Sequence, residues 1–529
     1  MDKNPFLFNK NLVIGFIVLF ILISQIIFLS GCIQNQEKDA KEIYNEIYIG
    51  SINDISGFYP WMIRDTTSCS LNQNFFNPLI EIDPKTRGII SALAENWNNP
   101  DNVTWKFFLR EDVKFHNGYN FTAHDVNFTI SFLRNNFSYY NETLSSLSEI
   151  KILDNYTIEM KTYEPNPLLL YDLLSVNILS KKYINEIIET NETWPIGTGP
   201  YKLVEYEPGK HIILERFDEY WKGVPDIKRV NVILMENREE LRAGLIEGLL
   251  DIASIPSEYV DEIENTEGLT VESVQTVGIS YLSFDFRDND SYGFIGTKNP
   301  LSYVNVRKAM YHAIYIDRLL ENITNTSALV PASQFVTQFI FGYDPDIERL
   351  PYDIEKATQL MRDVGFEDGF TVELDCIDSN TSIKICNEIA SQLSNINITV
   401  KLNPLPDFEY YSKLYLKNTS FYFTGFTPLS AEGTIELLLH TSDMQNNIGI
   451  WNYGNYSNFE VDRLYEIICH TFDPIIRKEL MQDIFSIAAE DVAWIPLYSG
   501  KAFYGVNDSI NWSPRPALYI IFDDMSFYD

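Results

Sequence analysis

A single apolar segment near the N-terminus, residues 12–28, limits what the rest of this chain can be. Lys3 and Lys10 precede the segment, and Ser24 and Gln25 interrupt it only weakly. A run of this length suits the apolar core of a secretory signal or a short membrane span. Because no later stretch approaches spanning length, the sequence predicts that the remainder folds outside the membrane.

The residues after this segment are more specific. Residues 29–32 read Leu-Ser-Gly-Cys and resemble a lipobox, in which small residues permit cleavage and the cysteine sulfur accepts a lipid. Residues 33–43 are polar and charged, as expected for a flexible tether. We therefore expect residues 1–32 to be a signal peptide, with lipidation at Cys32. The alternative is an uncleaved signal anchor, and both place the protein at the extracytoplasmic face of the cell membrane.

Size and charge restrict the architecture and the partners. The chain has 529 residues, more than one hydrophobic core usually supports, so at least two lobes are expected. It has 74 acidic against 40 basic residues and a formal net charge of −34. Such a field repels nucleic acid and anionic lipid surfaces, so neither is an expected partner.

Four cysteines remain when Cys32 is set aside, and they are Cys69, Cys376, Cys386 and Cys469. An even number in an exported chain permits disulfides in three connectivities, of which Cys376–Cys386 is the easiest local pair. Free buried thiols are the alternative. The chain lacks a CxxC pair and a cluster of histidines, so we predict no metal site.

Strand and helix signals alternate along the chain. Residues 103–110 alternate apolar with polar side chains and predict a strand, and Thr122 and Asp125 have capping-box spacing before a helix. Residues 201–206 and 211–216 flank a Pro-Gly turn and predict a hairpin.

Other N-cap residues predict helices after Asn305, Asp353 and Asp473. Strand-like runs at 370–374 and 398–402 lie between them. This alternation predicts α/β lobes whose sheets are covered by helices.

Ordered sequence blocks add a family resemblance. The strongest block reads LAENW at 93–97, WKFFLR at 105–110, VKFHNG at 113–118 and FTAHDV at 121–126, and a second block has PIGTGPY at 195–201 and YWKG at 220–223. These blocks resemble the family 5 extracellular solute-binding proteins, the peptide/nickel-binding receptors of ABC importers. The resemblance runs from about Ile47 to about Tyr504.

The resemblance implies an α/β, two-lobed periplasmic-binding-protein-like fold of type II, cluster C, with a ligand cleft between the lobes. Lobe I would comprise residues 44–83, 196–276 and 493–529. A small domain, here called the insert, would span 84–195, and lobe II would span 277–492. A hinge would close the lobes around a ligand that contacts both.

The resemblance also implies ligand-binding residues. Peptide-binding members often carry an aspartate after a Gly-Trp pair in lobe II, where it pairs with the α-ammonium of the peptide. In this chain Phe426 stands at the tryptophan and Leu429 near the aspartate. We therefore expect Phe426 to be a stacking wall and Glu432 to be the substitute charge partner.

Further expected contacts are aromatic. They are Phe58, Tyr59 and Trp61 in the lobe I loop where relatives contact ligand, then Trp451 and Tyr453, and finally Tyr139 and Tyr140 in the insert. Core packing is the alternative for each ring. We interpret His116 as a turn residue bonded to backbone, and His440 as a lone imidazole that makes no metal site.

These features predict an extracytoplasmic solute-binding protein of an ABC transporter, acting as a monomer and without a cofactor. It would capture oligopeptides, dipeptides or a similar small solute and deliver it to permease subunits driven by cytoplasmic ATPases. Alternatives are a ligand sensor of the same fold coupled to a signalling partner, or a nickel-chelate receptor. An extracellular hydrolase is disfavoured because G-x-S-x-G and H-E-x-x-H motifs are missing.

Overall fold

The computed structural model of the chain describes residues 45–63, 65–84, 88–190, 194–288, 291–294, 297–323 and 328–528. The predicted signal peptide, the tether and Cys32 lie outside the described residues. Within these ranges, no helix combines the length and apolar character needed to cross a bilayer.

Strands and helices alternate, as predicted. The strands are β1 (Glu46–Ser51), β2 (Ile80–Ile82), β3 (Ile89–Ser91), β4 (Ala94–Asn98), β5 (Thr104–Leu109), β6 (Leu147–Asp154), β7 (Thr157–Thr162), β8 (Tyr201–Glu207), β9 (His211–Arg216), β10 (Arg229–Leu234), β11 (Ile252–Ile255), β12 (Leu269–Gln275), β13 (Ile279–Phe284), β14 (Leu329–Pro331), β15 (Phe370–Ile377), β16 (Ile398–Leu405), β17 (Phe421–Phe426), β18 (Trp494–Asn507), β19 (Ile510–Asn511) and β20 (Ser526–Phe527). The α-helices are α1 (Thr66–Phe75), α2 (Ala123–Asn136), α3 (Ser138–Thr143), α4 (Leu169–Leu173), α5 (Lys181–Thr190), α6 (Arg238–Ile246), α7 (Val260–Glu264), α8 (Val304–Ala313), α9 (Ile316–Ile323), α10 (Ile354–Asp363), α11 (Asn380–Leu393), α12 (Asp407–Tyr415), α13 (Ala431–Thr434), α14 (Phe459–Ile468) and α15 (Pro474–Glu490).

One long strand, β18, belongs to both halves of a mixed twelve-stranded sheet. Its first residues pair with β13, in the half ordered β16-β15-β17-β13. Its later residues pair with β12 and β11, and the sheet continues through β1, β10, β9 and β8. The strand therefore joins two α/β halves, which correspond to lobe II and lobe I.

The lobe boundaries stay a prediction, with one qualification from the strand pairing. The sequence assigned everything from residue 493 onward to lobe I. Residues 494–498 of β18 nevertheless pair with β13 in the lobe II half. A strand can serve both lobes because its ladder hydrogen bonds are local to each partner strand.

The insert has a sheet and a core of its own. Its four strands form an antiparallel sheet in the order β4-β5-β7-β6, and Trp105 and Phe107 of β5 are buried in its core. The predicted capping box is confirmed, because Asp125 accepts from the backbone N–H of Thr122 at 2.9 Å and the Thr122 hydroxyl caps α2.

Most of the predicted local signals are confirmed. The hairpin β8–β9 turns at Gly209, whose φ of +73° is the left-handed value that glycine adopts without strain. Asp353 and Asp473 cap α10 and α15 with their carboxylates. The prediction for Asn305 was wrong: α8 begins at Val304 after Tyr303, without a side-chain cap.

Candidate ligand-binding site

Two chain segments connect the lobes. One is β18 near Gly500, and the other is the stretch from β12 to β13, residues 276–278. The backbone N–H of Thr276 donates to the carbonyl oxygen of Gly500 at 2.8 Å, so the two crossings lie side by side. Two adjacent extended segments that cross between the lobes suit a hinge.

In lobe II, three parallel strands end at one edge of the sheet. β15 runs parallel to β16 and to β17, and they end at Ile377, Leu405 and Phe426. Phe426 also pairs with Ile279, the first residue after the hinge crossing. Ligands of open α/β sheets bind outside such carboxyl ends, so this edge next to the hinge is the candidate ligand surface of lobe II.

Apolar side chains remain exposed along this edge. Phe408, which follows β16, is 84% exposed, and Leu429, which follows β17, is 77% exposed. Trp451 is 41% exposed and meets the ring of Phe426 edge-on at 5.5 Å between centroids. We call Phe408, Phe426, Leu429 and Trp451 the lobe II rim. Unsatisfied apolar surface of this kind is typical of a binding site.

The structure therefore brings together two of the predicted lobe II aromatics, Phe426 and Trp451. Tyr453 instead packs against a small buried cluster that contains Tyr410 and Tyr422. Sequence reasoning missed Phe408. Its signal was an aromatic residue three positions after a strand that ends at the carboxyl edge.

In lobe I the predicted aromatic loop turns inward. Tyr59 is only 5% exposed and donates its hydroxyl to the carbonyl oxygen of Trp194 at 3.0 Å. Trp61 stacks on Tyr59 at 4.7 Å and on Phe137 of the insert at 5.2 Å. Phe58 packs on the lobe I core. Tyr59 and Trp61 therefore join lobe I to the insert, and the packing of the three rings gives no support to the prediction that they bind ligand.

The two insert tyrosines differ from each other. Tyr140 is buried in the insert core, whereas Tyr139 is exposed and meets it edge-on at 5.1 Å. Burial raises the pKa of the Tyr140 hydroxyl well above its usual value. The pair thus consists of one core ring and one surface ring.

Glu432 lies in a buried polar contact between lobe II and the insert. Its carboxylate is 3.4 Å from the guanidinium of Arg477, and both side chains are buried. Arg477 also donates to the hydroxyl of Tyr171 in the insert at 3.3 Å. Because Arg477 already balances this carboxylate, the geometry does not favour Glu432 as the partner of a ligand ammonium. That role of Glu432 stays a prediction.

Two carboxylates, Asp172 and Glu436, lie at this contact between the insert and lobe II. Burial, followed by the negative charge of Glu436, raises the pKa of Asp172 to about 7. Asp172 belongs to α4 of the insert and Glu436 to lobe II, in the π-helical turn that follows α13. The contact between the insert and lobe II is therefore sensitive to protonation.

The edge of lobe I differs in character from the lobe II rim. β1 runs parallel to β10 and β11, and these strands end at Ser51, Leu234 and Ile255. A cavity of about 250 Å³ opens there, and we call it the lobe I cavity. Hydroxyl-bearing residues, apolar core residues and Arg238 line it.

His116 has the structural role predicted for it. Its Nδ1 accepts from the backbone N–H of Gly197 at 3.3 Å, so Nε2 carries the proton and donates to the carbonyl oxygen of Gly199 at 3.0 Å. Burial lowers the pKa of His116 to about 4, which keeps the ring neutral. Cβ atoms at Gly197 and Gly199 would lie 2.0 and 2.4 Å from carbonyl oxygens of α1, so this close approach requires glycine.

The remaining chemical groups form few clusters. Cys69, Cys376, Cys386 and Cys469 are free thiols, the middle two buried in the lobe II core, so the structure has the alternative named above and not the disulfides. His440 donates to the carbonyl oxygen of Thr441 at 2.8 Å. In the described part of the chain, no three His, Cys, Asp or Glu side chains are placed to hold a metal ion.

Two α/β lobes joined by a two-segment hinge, each with parallel strands ending at an open edge, define a solute-binding class of protein. The family model for bacterial extracellular solute-binding proteins, family 5, matches residues 88–446. The chain belongs to this family, which confirms the resemblance found in the sequence.

Individual relatives are more distant. The chain is 26% identical over 347 residues to the dipeptide-binding protein of Escherichia coli, covering 60% of this chain and 63% of that protein. It is 28% identical over 326 residues to the probable ABC transporter periplasmic-binding protein SapA of E. coli, covering 56% and 58% of the two chains. It thus spans less than two thirds of the length of either relative in these matches.

One solved structure is similar over nearly the whole fold. HbpA2 from Haemophilus parasuis superposes with a TM-score of 0.81 at 20% identity, covering 92% of this chain and all of that chain. The two-lobed α/β fold is therefore confirmed.

Proposed function

We propose that this protein is the extracytoplasmic solute receptor of an ABC importer and captures peptides or similar small solutes between its lobes. The observation that carries the proposal is the hinge. β18 and residues 276–278 connect two lobes whose parallel strands end at open edges. The names of the relatives, a dipeptide-binding protein and a probable ABC transporter component, support the substrate class and the partner.

The mechanism follows from the two edges. A solute that contacts the lobe I cavity and the lobe II rim together makes its full set of contacts only when the lobes are closed. Its binding free energy then shifts the population from open to closed. The closed form would be the shape that permease subunits recognise, and the cytoplasmic ATPases would drive release. Binding requires no chemical step, so we propose that the protein is not an enzyme.

Several aromatic contacts belong to the proposal. The rings of Phe426 and Trp451 would stack on apolar parts of the solute, and Phe408 would add apolar surface after β16, two strands away on the same edge. Tyr453 would support this surface from the cluster behind it. Exposed aromatics at a site edge combine large contact area with few rotatable bonds, which lowers the entropy cost of binding.

Membrane attachment is a separate part of the proposal. A lipid on Cys32 would hold a monomeric receptor at the cell surface near its permease. The expected result is that Cys32→Ser releases the protein from washed membranes, whereas wild-type protein stays bound until detergent is added. Equal retention of both forms would show that residues 12–28 anchor the chain without the lipid.

Native mass spectrometry of the full-length protein in detergent tests the capture of peptides. We expect one peptide per chain after exposure to a tripeptide mixture, and stabilisation of about 2.7 kcal/mol at a ligand concentration of about 100 Kd. X-ray scattering should show compaction on binding. Steady turnover of the peptides without retention would refute the receptor function.

A further inference from the structure

The lobe I cavity is a partly open site of mixed polarity. Ser51, Thr67 and Ser254 contribute hydroxyls, and Leu71 and Tyr504 form a buried apolar floor. The Ser51 and Thr67 hydroxyls lie 3.1 Å apart, which ties the end of β1 to α1 and shapes the wall. At about 250 Å³ the cavity has room for a small group or a short side chain.

Arg238 brings a positive charge to this cavity. It is the first residue of α6, it is exposed, and it is the one basic side chain among the described residues that line the cavity. No carboxylate in the described ranges forms an ion pair with it. Arg242, one turn further along the same helix, is instead paired with Glu239 and with Glu262 at 2.7 Å.

The neighbouring acids are already engaged. Glu239 accepts from Tyr259 and Arg242, and Glu240 accepts from the backbone N–H of Glu236 and from the side chain of Asn237. The acidic side chains next to Arg238 in sequence therefore leave its guanidinium without an ion pair at the rim of the cavity. It is available to an anion that comes from outside the chain.

We propose that Arg238 binds a carboxylate of the captured solute in the lobe I cavity, and that for a peptide this group is the C-terminal carboxylate. The proposal rests on the proposed function and names the substrate class of the same site. A guanidinium matches a carboxylate with two parallel hydrogen bonds, which a lysine cannot do. The apolar floor then accommodates the adjoining side chain.

The lobe II edge complements the charge recognition proposed for lobe I. The lobe II rim consists of Phe408, Phe426, Leu429 and Trp451, all uncharged. It therefore offers contact area, whereas the cavity of lobe I offers charge recognition. A solute held in this way carries an anionic end in lobe I and an apolar body against lobe II.

The test uses the full-length protein in detergent and two matched tripeptide mixtures, one with free C-terminal carboxylates and one with C-terminal amides. Affinities are measured by titration calorimetry. Wild type should prefer the free acids by about 10- to 100-fold, as expected for one charge-assisted interaction at a rim. Arg238→Gln should bind acids and amides alike, with an unchanged melting temperature because the side chain is exposed.

Arg242→Gln is the matched control, because it removes the same charge from the same helix outside the cavity lining. It should retain the preference for free acids. Equal wild-type affinity for acids and amides would overturn the role of Arg238 and leave the receptor function intact. Loss of the preference in both variants would also overturn it, by showing a general charge effect. If wild type binds neither mixture, the proposed peptide receptor itself fails.

Discussion

The aromatic loop of lobe I and the lobe II rim contain the same residue types but differ in how far their rings are packed against neighbours. Trp61 is half-buried between Tyr59 on one side and rings of the insert on the other. Trp451 touches Phe426 and remains 41% exposed. The family resemblance, together with the aromatic residue type, assigned both groups to the ligand. Their neighbours make the first a joint between lobe I and the insert and leave the second open to a solute.

The largest expected effect is on stability and concerns the aromatic loop of lobe I. Trp61→Ala removes a ring stacked between two others, and we expect a loss of about 4 kcal/mol in the free energy of unfolding. Urea denaturation measures this loss, and Trp61→Phe, which keeps a ring, should lose less than half as much. The peptide affinity of the folded fraction should stay within about twofold of wild type. A stable variant with weakened binding would move Trp61 to the ligand site.

The second test asks whether Glu432 serves the fold or the ligand. Glu432→Gln leaves Arg477 buried without its counter-ion, and we expect a loss of about 3 kcal/mol in unfolding free energy. Adding Arg477→Met should recover part of this loss, because the uncompensated charge is then gone. The measurement is a double-mutant cycle by urea denaturation. Unchanged stability with reduced peptide affinity would restore Glu432 as a ligand partner.

The third test uses pH at the contact between the insert and lobe II. Burial and the charge of Glu436 raise the pKa of Asp172 to about 7, above its value in an unfolded chain. The native state therefore binds the proton more tightly, and stability falls as pH rises from about 4 to about 7. We expect this residue to contribute about 2 kcal/mol to that fall, after allowance for its partial exposure.

Asp172→Asn should flatten that part of the stability profile, as measured by urea denaturation between pH 4 and pH 8. Asp218→Asn, which alters an exposed carboxylate in lobe I, is the matched control and should leave the slope unchanged. If Asp172→Asn keeps the wild-type slope, the effect belongs to another group. Asp523 would then be the next candidate, because burial raises its pKa to about 6.

The smallest expected effect is on peptide affinity and concerns the lobe II rim. Trp451→Ala removes exposed contact surface, and we expect about a tenfold loss of peptide affinity with little change in stability. Trp194→Ala is the matched control, because Trp194 is 43% exposed and belongs to the insert and not to the lobe II rim. Calorimetry should show no affinity change for it. Equal losses in both variants would remove the rim from the ligand site.

Local signals in the sequence predicted local structure well. Thr122, Asp353 and Asp473 begin helices because a side-chain oxygen close in sequence satisfies free backbone N–H groups. The prediction failed at Asn305, where the helix begins two residues earlier without such a bond. Phe408 and Arg238 were missed, because their significance depends on which strands end beside them.

Ordered motifs and short-range chemistry thus determined the family and the alternation of strands and helices, and they predicted a turn role for His116. Only the tertiary structure decided which rings are buried and which charges are paired. It also decided which rings and charges remain exposed at the edge of a sheet. The physical reason is that capping and periodicity act within a few residues. Burial and charge balance are instead set by partners well beyond that distance in sequence, such as Trp194 for Tyr59 and Glu432 for Arg477.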